Sequence, residues 1–119
     1  MDLLQLSTTQ KHQFHDATIE LSYVDTKLGT KNGLAISKKQ ALLMKDEENL
    51  DEQGNLKTEI QTELNNDYYA SLIVGWDNIS MGENQLECNF ENAKKLMEND
   101  IARKFVITKV SGMGKLPID

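Results

Sequence analysis

The sequence contains little of several features, and each shortage excludes some classes of protein or structure. It holds one cysteine in 119 residues, so an internal disulfide cannot form and a reducing compartment fits the composition. No apolar run approaches the roughly 18 residues that a membrane-spanning helix needs. The opening MDLLQLSTTQ lacks the basic start and long apolar core of a signal peptide. Together these features predict a cytoplasmic protein without a membrane segment.

Positive charge is scarce as well. The chain has 13 Lys and Arg against 19 Asp and Glu, which gives a net charge of −6. General affinity for nucleic acid needs a basic surface that neutralises phosphates, so the charge disfavours a nucleic-acid partner. Proline occurs once, at Pro117, so little interrupts helices before the C-terminal tail. The length fits a single domain over residues 1–119 with a modest core.

The N-terminal part predicts a flexible arm and a β-hairpin. Residues 1–13 are polar and mixed, which is typical of a loosely ordered arm. The segment ATIELSYV, residues 17–24, alternates as a half-buried strand does. Its inward side chains are Ile19, Leu21 and Tyr23. Turn signals in DTKLGTKNG and a short apolar return to Ile36 predict a hairpin over residues 17–36, which needs a helix to pack on.

The next segment predicts a helix and a loop. Ser37 and Gln40 have the spacing of a capping box, which predicts a helix over residues 38–47. Its predicted inner side chains are Ala41, Leu42 and Met44. The following KDEENLDEQGNLK, residues 45–57, is typical of a mobile acidic loop. Its carboxylates are Asp46, Glu47, Glu48, Asp51 and Glu52.

A long apolar stripe predicts the central helix. Its residues recur at intervals of four, four, four, four and three, which keeps them on one side of a helix. They are Ile60, Leu64, Tyr68, Leu72, Trp76 and Ile79. Gly75 in such a helix would allow another helix to approach closely.

The C-terminal part predicts two more helices, in a helical region over residues 37–112. Gly82 is the expected reversal of a turn, and Asn89 is a good N-cap for a third helix over residues 90–98. Asp100 can cap a fourth helix over residues 101–110, before a tail at 113–119. The fold class is therefore α+β, with a small N-terminal hairpin packed on about four helices. The predicted core comprises Leu64, Tyr68, Leu72, Trp76, Phe90, Ala93, Leu96, Phe105 and Val106.

Residues with catalytic or ligating potential do not assemble into a known motif. His12 and His15 have HxxH spacing, but no further histidine could complete a zinc site. Cys88 has no neighbouring His or basic cluster to lower its pKa, so a small buried side chain is the better interpretation. The acidic loop lacks the ligand spacing of a calcium loop, and SGMGK is too short for a phosphate loop. The sequence predicts a protein that is not an enzyme and uses no cofactor or metal.

The stretch LIVGWDNI, a glycine turn, NFENAKKLM and then NDIARKFVITKV form a pattern. It resembles the C-terminal half of small tailed-bacteriophage proteins that serve as tail assembly chaperones or minor tail proteins. ATIELSYVDTK is similar to the strand that opens such proteins. The chain departs from the pattern at Asn89-Phe90, where Ser-Pro is usual, and at Asn99, where Pro is common. The matching positions are Trp76, Glu91, Asn92, Ala93, Leu96, Asp100, Phe105 and Val106. The resemblance also implies that Trp76, at the end of the long helix, is a wedge that packs against the third and fourth helices.

The resemblance implies a chaperone that binds the tape-measure protein and tail-tube subunits in the cytoplasm of an infected bacterium, without catalysis. The candidate contact residues are Met44, Met81 and Met97, which would be adaptable if exposed, together with the five carboxylates of the acidic loop. The alternative is a structural minor tail or neck protein that stays in the virion. A host-targeting inhibitor that mimics nucleic acid is less favoured, because the acids cluster in one loop.

Overall fold

Three antiparallel strands and four α-helices form the main elements of residues 7–117, which the computed structural model describes. The fold is α+β, as predicted. The sheet has the order β1-β2-β3, with β1 at Thr9–Phe14, β2 at Ala17–Ser22 and β3 at Ile73–Asp77. A small hairpin pairs β4 (Ser80–Met81) with β5 (Asn84–Gln85). The helices are α1 (Lys27–Leu43), α2 (Thr58–Ser71), α3 (Phe90–Glu98) and α4 (Asp100–Met113).

The predicted strand is confirmed as β2, but its hairpin partner lies before it in the chain. Ile19 and Leu21 are fully buried, as the alternation requires. They face the helices, and β1 pairs alongside from Thr9↔Ser22 to Phe14↔Ala17. The predicted arm is therefore wrong from Thr9 onward, while residues 1–6 lie outside the described part. The segment TQKHQF has one apolar residue, so its sequence gives no strand signal.

Helix α1 replaces the predicted return strand and starts earlier than the predicted helix. Its N-cap is Thr26 rather than Ser37: the Thr26 hydroxyl accepts from the Gly29 amide at 2.9 Å and donates to the Tyr23 carbonyl at 3.0 Å. This buried cap outweighs the turn tendency of Asn32-Gly33, because helix propensity is a weak prior that tertiary contacts override. The predicted inward side chains are also misplaced, since Leu42 is 65% exposed.

The acidic segment over residues 45–57 has a hydrogen-bonded backbone of its own, where we predicted a mobile loop. A short 3-10 turn at Glu47–Asn49 is capped by the Asp46 carboxylate. A bridge then joins Leu50 to Leu56, and the Asp51 carboxylate accepts from two backbone amides within it. The segment is thus organised by its own carboxylates.

The predicted central helix is wrong beyond Ser71, where α2 ends. The next residues form β3, with Ile19 opposite Trp76 and Val74 bulged out between two pairs. The β-branched Ile73 and Val74 suit a strand, and the edge of β2 offers them partners. Gly75 faces the side chain of Glu20 rather than another helix.

Helix α3 has its predicted bounds, and Asn89 caps it by accepting from the Asn92 amide at 2.8 Å. Asn99, rather than Asp100, caps α4. Helix α4 runs past Gly112 to Met113, beyond its predicted end. It stops at Gly114, whose φ of 65° suits glycine.

The core lies between the inner sheet face and helices α2, α3 and α4. Of the predicted core residues, Leu64, Leu72, Ala93 and Val106 are buried, and Tyr68, Trp76, Leu96 and Phe105 are partly buried against the core. Phe90 is the exception at 46% exposure. It opens α3 and lies beside Lys94, whose Nζ is 5.3 Å from the ring centroid.

None of the helices within residues 7–117 combines the length and the apolar character needed to cross a membrane.

Two glycines of α1 give a matched test of how closely this helix approaches the end of β2. A Cβ on Gly29 would meet the Tyr23 carbonyl oxygen at 2.8 Å and the Val24 carbonyl oxygen still closer. We expect Gly29→Ala to destabilise the fold by about 1–3 kcal/mol, the usual cost of overpacking. A Cβ on Gly33 would make an ordinary contact of 3.6 Å with Tyr68. Gly33→Ala should therefore stabilise the fold by about 0.5–1 kcal/mol.

Urea unfolding followed by circular dichroism measures both effects against the wild type. Equal stability of Gly29→Ala and the wild type would contradict the close approach of α1 to the end of β2.

Candidate functional site

The three methionines predicted as contact residues lie in different environments. Met97 is 1% exposed and belongs to the core, so its role as a contact residue is wrong. It lies one turn after Ala93 on the buried side of α3. Met81 is exposed in β4, and Met44 is exposed at the end of α1.

Met81 opens onto a groove of about 590 Å³ between the β1–β2 turn, the β4–β5 hairpin and the α3–α4 junction. We call this the hairpin groove. Its larger apolar lining residues are Phe14, Ile79, Met81, Leu86, Leu96 and Ile101. Exposed apolar surface rimmed by polar groups is typical of sites that bind other proteins or ligands.

Trp76 holds one wall of the hairpin groove. Its indole Nε1 donates to the Leu86 carbonyl at 2.8 Å, and the Leu86 amide donates to the Ile79 carbonyl at 2.8 Å. The Asn78 side chain adds a bond to the Asp16 carbonyl at 3.0 Å. The prediction that Trp76 is a wedge at the end of a helix is therefore wrong. Trp76 is a strand residue whose polar edge fixes the β4–β5 hairpin on the sheet.

The opposite wall comes from the junction of α3 and α4. Because Asn99 ends one helix and caps the next, Leu96 and Ile101 lie on either side of a sharp turn. Ile101 is 67% exposed at the start of α4. Phe14 packs on Phe105 with ring centroids 4.6 Å apart, which extends the apolar surface along α4.

The charges around this surface are mainly positive. Lys95 and Asp16 line the hairpin groove, and Lys104 and Lys109 line the adjoining depression beside Phe105. Three cations and one carboxylate therefore border the apolar lining. A ligand segment that is apolar in its centre and acidic at its ends would suit these charges.

The acidic residues predicted as contacts lie elsewhere. Asp46 and Asp51 each use a carboxylate oxygen on local backbone amides. Glu47, Glu48 and Glu52 are exposed to solvent. Within the described part of the chain, none of these five carboxylates lines the hairpin groove.

The two histidines do not form a helical HxxH pair. His12 lies on β1, while His15 occupies the following turn with a φ of 55° and its ring packs edge-on against Phe14. Burial, and then the nearby Lys109 cation, lower the pKa of His12. Across residues 7–117, the structure brings together no group of three or more His, Cys, Asp or Glu that could hold a metal ion.

Cys88 is half-buried and packs against the core just before the cap of α3. It also lines a cavity of about 430 Å³ with Val74 and Phe90. Burial raises the pKa of its thiol, which opposes a role as a nucleophile. The surroundings agree with the interpretation of Cys88 as a packing residue.

In comparisons with known proteins, no family model, curated protein or solved structure matches the chain. The site is therefore defined by its own residues. The sequence had pointed to Met81 but not to Phe14, Leu86 or an exposed Ile101. One signal was present in the sequence. Phe14 is the only apolar residue of HQFH, and a single aromatic residue in a polar stretch indicates a packing or binding contact.

The hydrogen bond from Trp76 can be tested apart from its ring. We expect Trp76→Phe to keep most of the packing and to lose about 1 kcal/mol of stability, the usual net value of one hydrogen bond. Trp76→Ala should cost more than Trp76→Phe, because it also removes the packing of the partly buried ring.

Amide hydrogen exchange gives the local measurement. In Trp76→Phe the Leu86 amide should exchange faster, while the amides of α2 stay protected as in the wild type. Unchanged Leu86 protection would show that the indole does not hold the hairpin.

The lowered pKa of His12 predicts a dependence of stability on pH. Below 6.5, its ordinary value, the unfolded chain binds the His12 proton more readily than the folded protein. The free energy of unfolding should therefore fall as the pH drops from about 6.5 through the folded pKa. Replacing the Lys109 cation in Lys109→Gln should raise the pKa of His12 and reduce this loss.

NMR titration of the His12 imidazole measures the pKa directly. Lys104→Gln removes an equal charge five residues away on α4 and is the matched control. A His12 pKa above 6.5 in the wild type would contradict the described burial.

Proposed function

We propose that the protein is a tail assembly chaperone of a tailed bacteriophage, which binds apolar segments of the tape-measure protein and tail-tube subunits without catalysis. One observation carries the proposal. The segment that bears the family resemblance, residues 72–110, also contributes most of the hairpin groove. Within it, Trp76 fixes the hairpin and Leu96 lines the groove.

The groove has the size and chemistry for such clients. A volume of about 590 Å³ accommodates a few side chains of a helix or an extended segment, the usual anchors of peptide recognition. Met81 lies at its edge, and methionine adapts to apolar partners of different shapes. Client carboxylates would be placed beside Lys95 and Lys104.

The acidic surface has a supporting role in this proposal. A net charge of −6 keeps a protein and its complexes soluble through mutual repulsion. The exposed Glu47, Glu48 and Glu52 are free to pair with basic client segments. The chaperone would act in the cytoplasm of the infected bacterium, before the tail is complete.

The β1 edge favours a second candidate, a minor tail or neck protein retained in the virion. Within the described sheet, β1 pairs with β2 on one side only. Its other edge presents six residues of strand backbone, which a neighbouring subunit could extend.

A co-purification separates the two candidates. The tagged protein is expressed with the tape-measure and tail-tube proteins of the phage that encodes it, and captured partners are identified by mass spectrometry. A protein census of finished particles is made in parallel. Capture of either client together with absence from particles supports the chaperone. Presence in particles at a fixed copy number supports the structural role, and capture of host proteins alone contradicts both.

Variants of the groove test where a client binds. Met81→Ser combined with Ile101→Ser removes two apolar anchors, and we expect client capture to fall about tenfold or more. Both side chains are more than half exposed, so the stability should change little.

The matched control is Val24→Ser combined with Val74→Ser, two exposed apolar residues that do not line the groove. Client titration against each purified variant gives the comparison. Equal loss of binding in both pairs would argue against the hairpin groove as the client site.

A further inference from the structure

Helix α1 has an unusually small share in the core. Over its 17 residues, Gly29 alone is buried. A row of half-buried residues faces the rest of the molecule: Asn32, Gly33, Ile36, Gln40 and Leu43. The remaining two thirds of the helix surface are open to solvent.

The open side of α1 carries an apolar row. Leu28, Ala35 and Leu42 recur every seven residues, which keeps them nearly in line along a helix. Leu34 lies beside them, and all four side chains are exposed. This is the spacing along which a second helix packs.

The same side is basic in an acidic protein. Helix α1 has four lysines and no carboxylate, while the whole chain has a net charge of −6. Lys39 lies nearest to a carboxylate, with its Nζ 3.8 Å from Asp67. Lys27, Lys31 and Lys38 are exposed and, together with Leu34 and the single carboxylate of Asp25, line a shallow depression of about 720 Å³. We call Leu28, Lys31, Leu34, Ala35, Lys38 and Leu42 the α1 face.

The charges discriminate among possible occupants of the α1 face. A second copy that used the same face would bring lysines against lysines. A phospholipid surface or a nucleic acid would meet carboxylates at both ends of the helix, since Asp25 precedes it and Asp46, Glu47 and Glu48 follow it. A helix of another protein fits between these carboxylates and can carry acids where the lysines lie.

We propose that the α1 face docks an acidic amphipathic α-helix of a partner protein. The apolar side of the partner helix packs along Leu28, Ala35 and Leu42, and its carboxylates pair with Lys31 and Lys38. Among residues 7–117, no side chain lines both this depression and the hairpin groove. The proposal therefore stands independently of the role in tail assembly.

The probe is a pair of synthetic helical peptides, each about 21 residues long, to match the length of α1 with one turn to spare. Both carry leucines at heptad spacing. One has glutamate at the flanking positions and the other has lysine. Fluorescence anisotropy with the full-length chain should show binding of the acidic peptide and at least about tenfold weaker binding of the basic one. Binding of the acidic peptide should weaken as salt is raised.

Charge-reversed variants locate the site. Lys31→Glu with Lys38→Glu should lower the affinity for the acidic peptide by about tenfold or more and raise the affinity for the basic peptide. Lys57→Glu with Lys115→Glu makes the same change of charge elsewhere on the exposed surface and should leave binding as in the wild type. Leu28→Ser with Leu42→Ser should lower the affinity for both peptides. Circular dichroism should show that this variant retains its helix content.

Four results would overturn the proposal. They are equal binding of both peptides, unchanged binding in the Lys31/Lys38 variant, binding to anionic phospholipid vesicles without binding of the acidic peptide, and a homodimer that Leu28→Ser with Leu42→Ser dissociates. The Met81/Ile101 variant should bind the acidic peptide normally. Loss of client capture in that variant therefore reports on the chaperone proposal alone.

Discussion

The pairing of β2 with β3 is the contact on which the rest of the structure depends. It joins two segments that lie far apart in the chain and sets Trp76 opposite Ile19. Because β3 is fixed there, α2 must end at Ser71, and the chain must turn back through the β4–β5 hairpin. The indole of Trp76 then reaches the Leu86 carbonyl. One wall of the hairpin groove is thus a direct result of this strand pairing.

Local patterns predicted the elements whose determinants lie close together in the chain. The alternation around Ile19, the Asn89 cap and the bounds of α3 needed nothing beyond neighbouring residues. The segment after Leu72 failed for the opposite reason. Apolar residues four apart fit a helix, and only a partner strand elsewhere in the sequence makes the β-branched Ile73 a strand residue. The local pattern of these residues alone cannot distinguish a helix from a strand.

The candidate site was predicted by residue type and not by position. Met81 and Met97 have the same chemistry, yet one lines the hairpin groove and the other fills the core behind Ala93. The groove needs Phe14 and Ile101 to meet, and they come from opposite ends of the chain. Position also decides the structure of α1. The buried hydroxyl of Thr26 caps a helix across a segment that contains a turn signal. Most lysines of that helix are exposed to solvent.

The order of charges along α1 and the segment after it has a kinetic consequence. Five lysines over residues 27–45 are followed directly by five carboxylates over residues 46–52. This part of the molecule is therefore a permanent electric dipole. Near another charged macromolecule a dipole experiences a torque, which turns the protein before the surfaces touch. The torque acts over roughly 8 Å at physiological ionic strength. The fraction of collisions that arrive in a productive orientation, and with it the association rate, should therefore be set by dissolved salt.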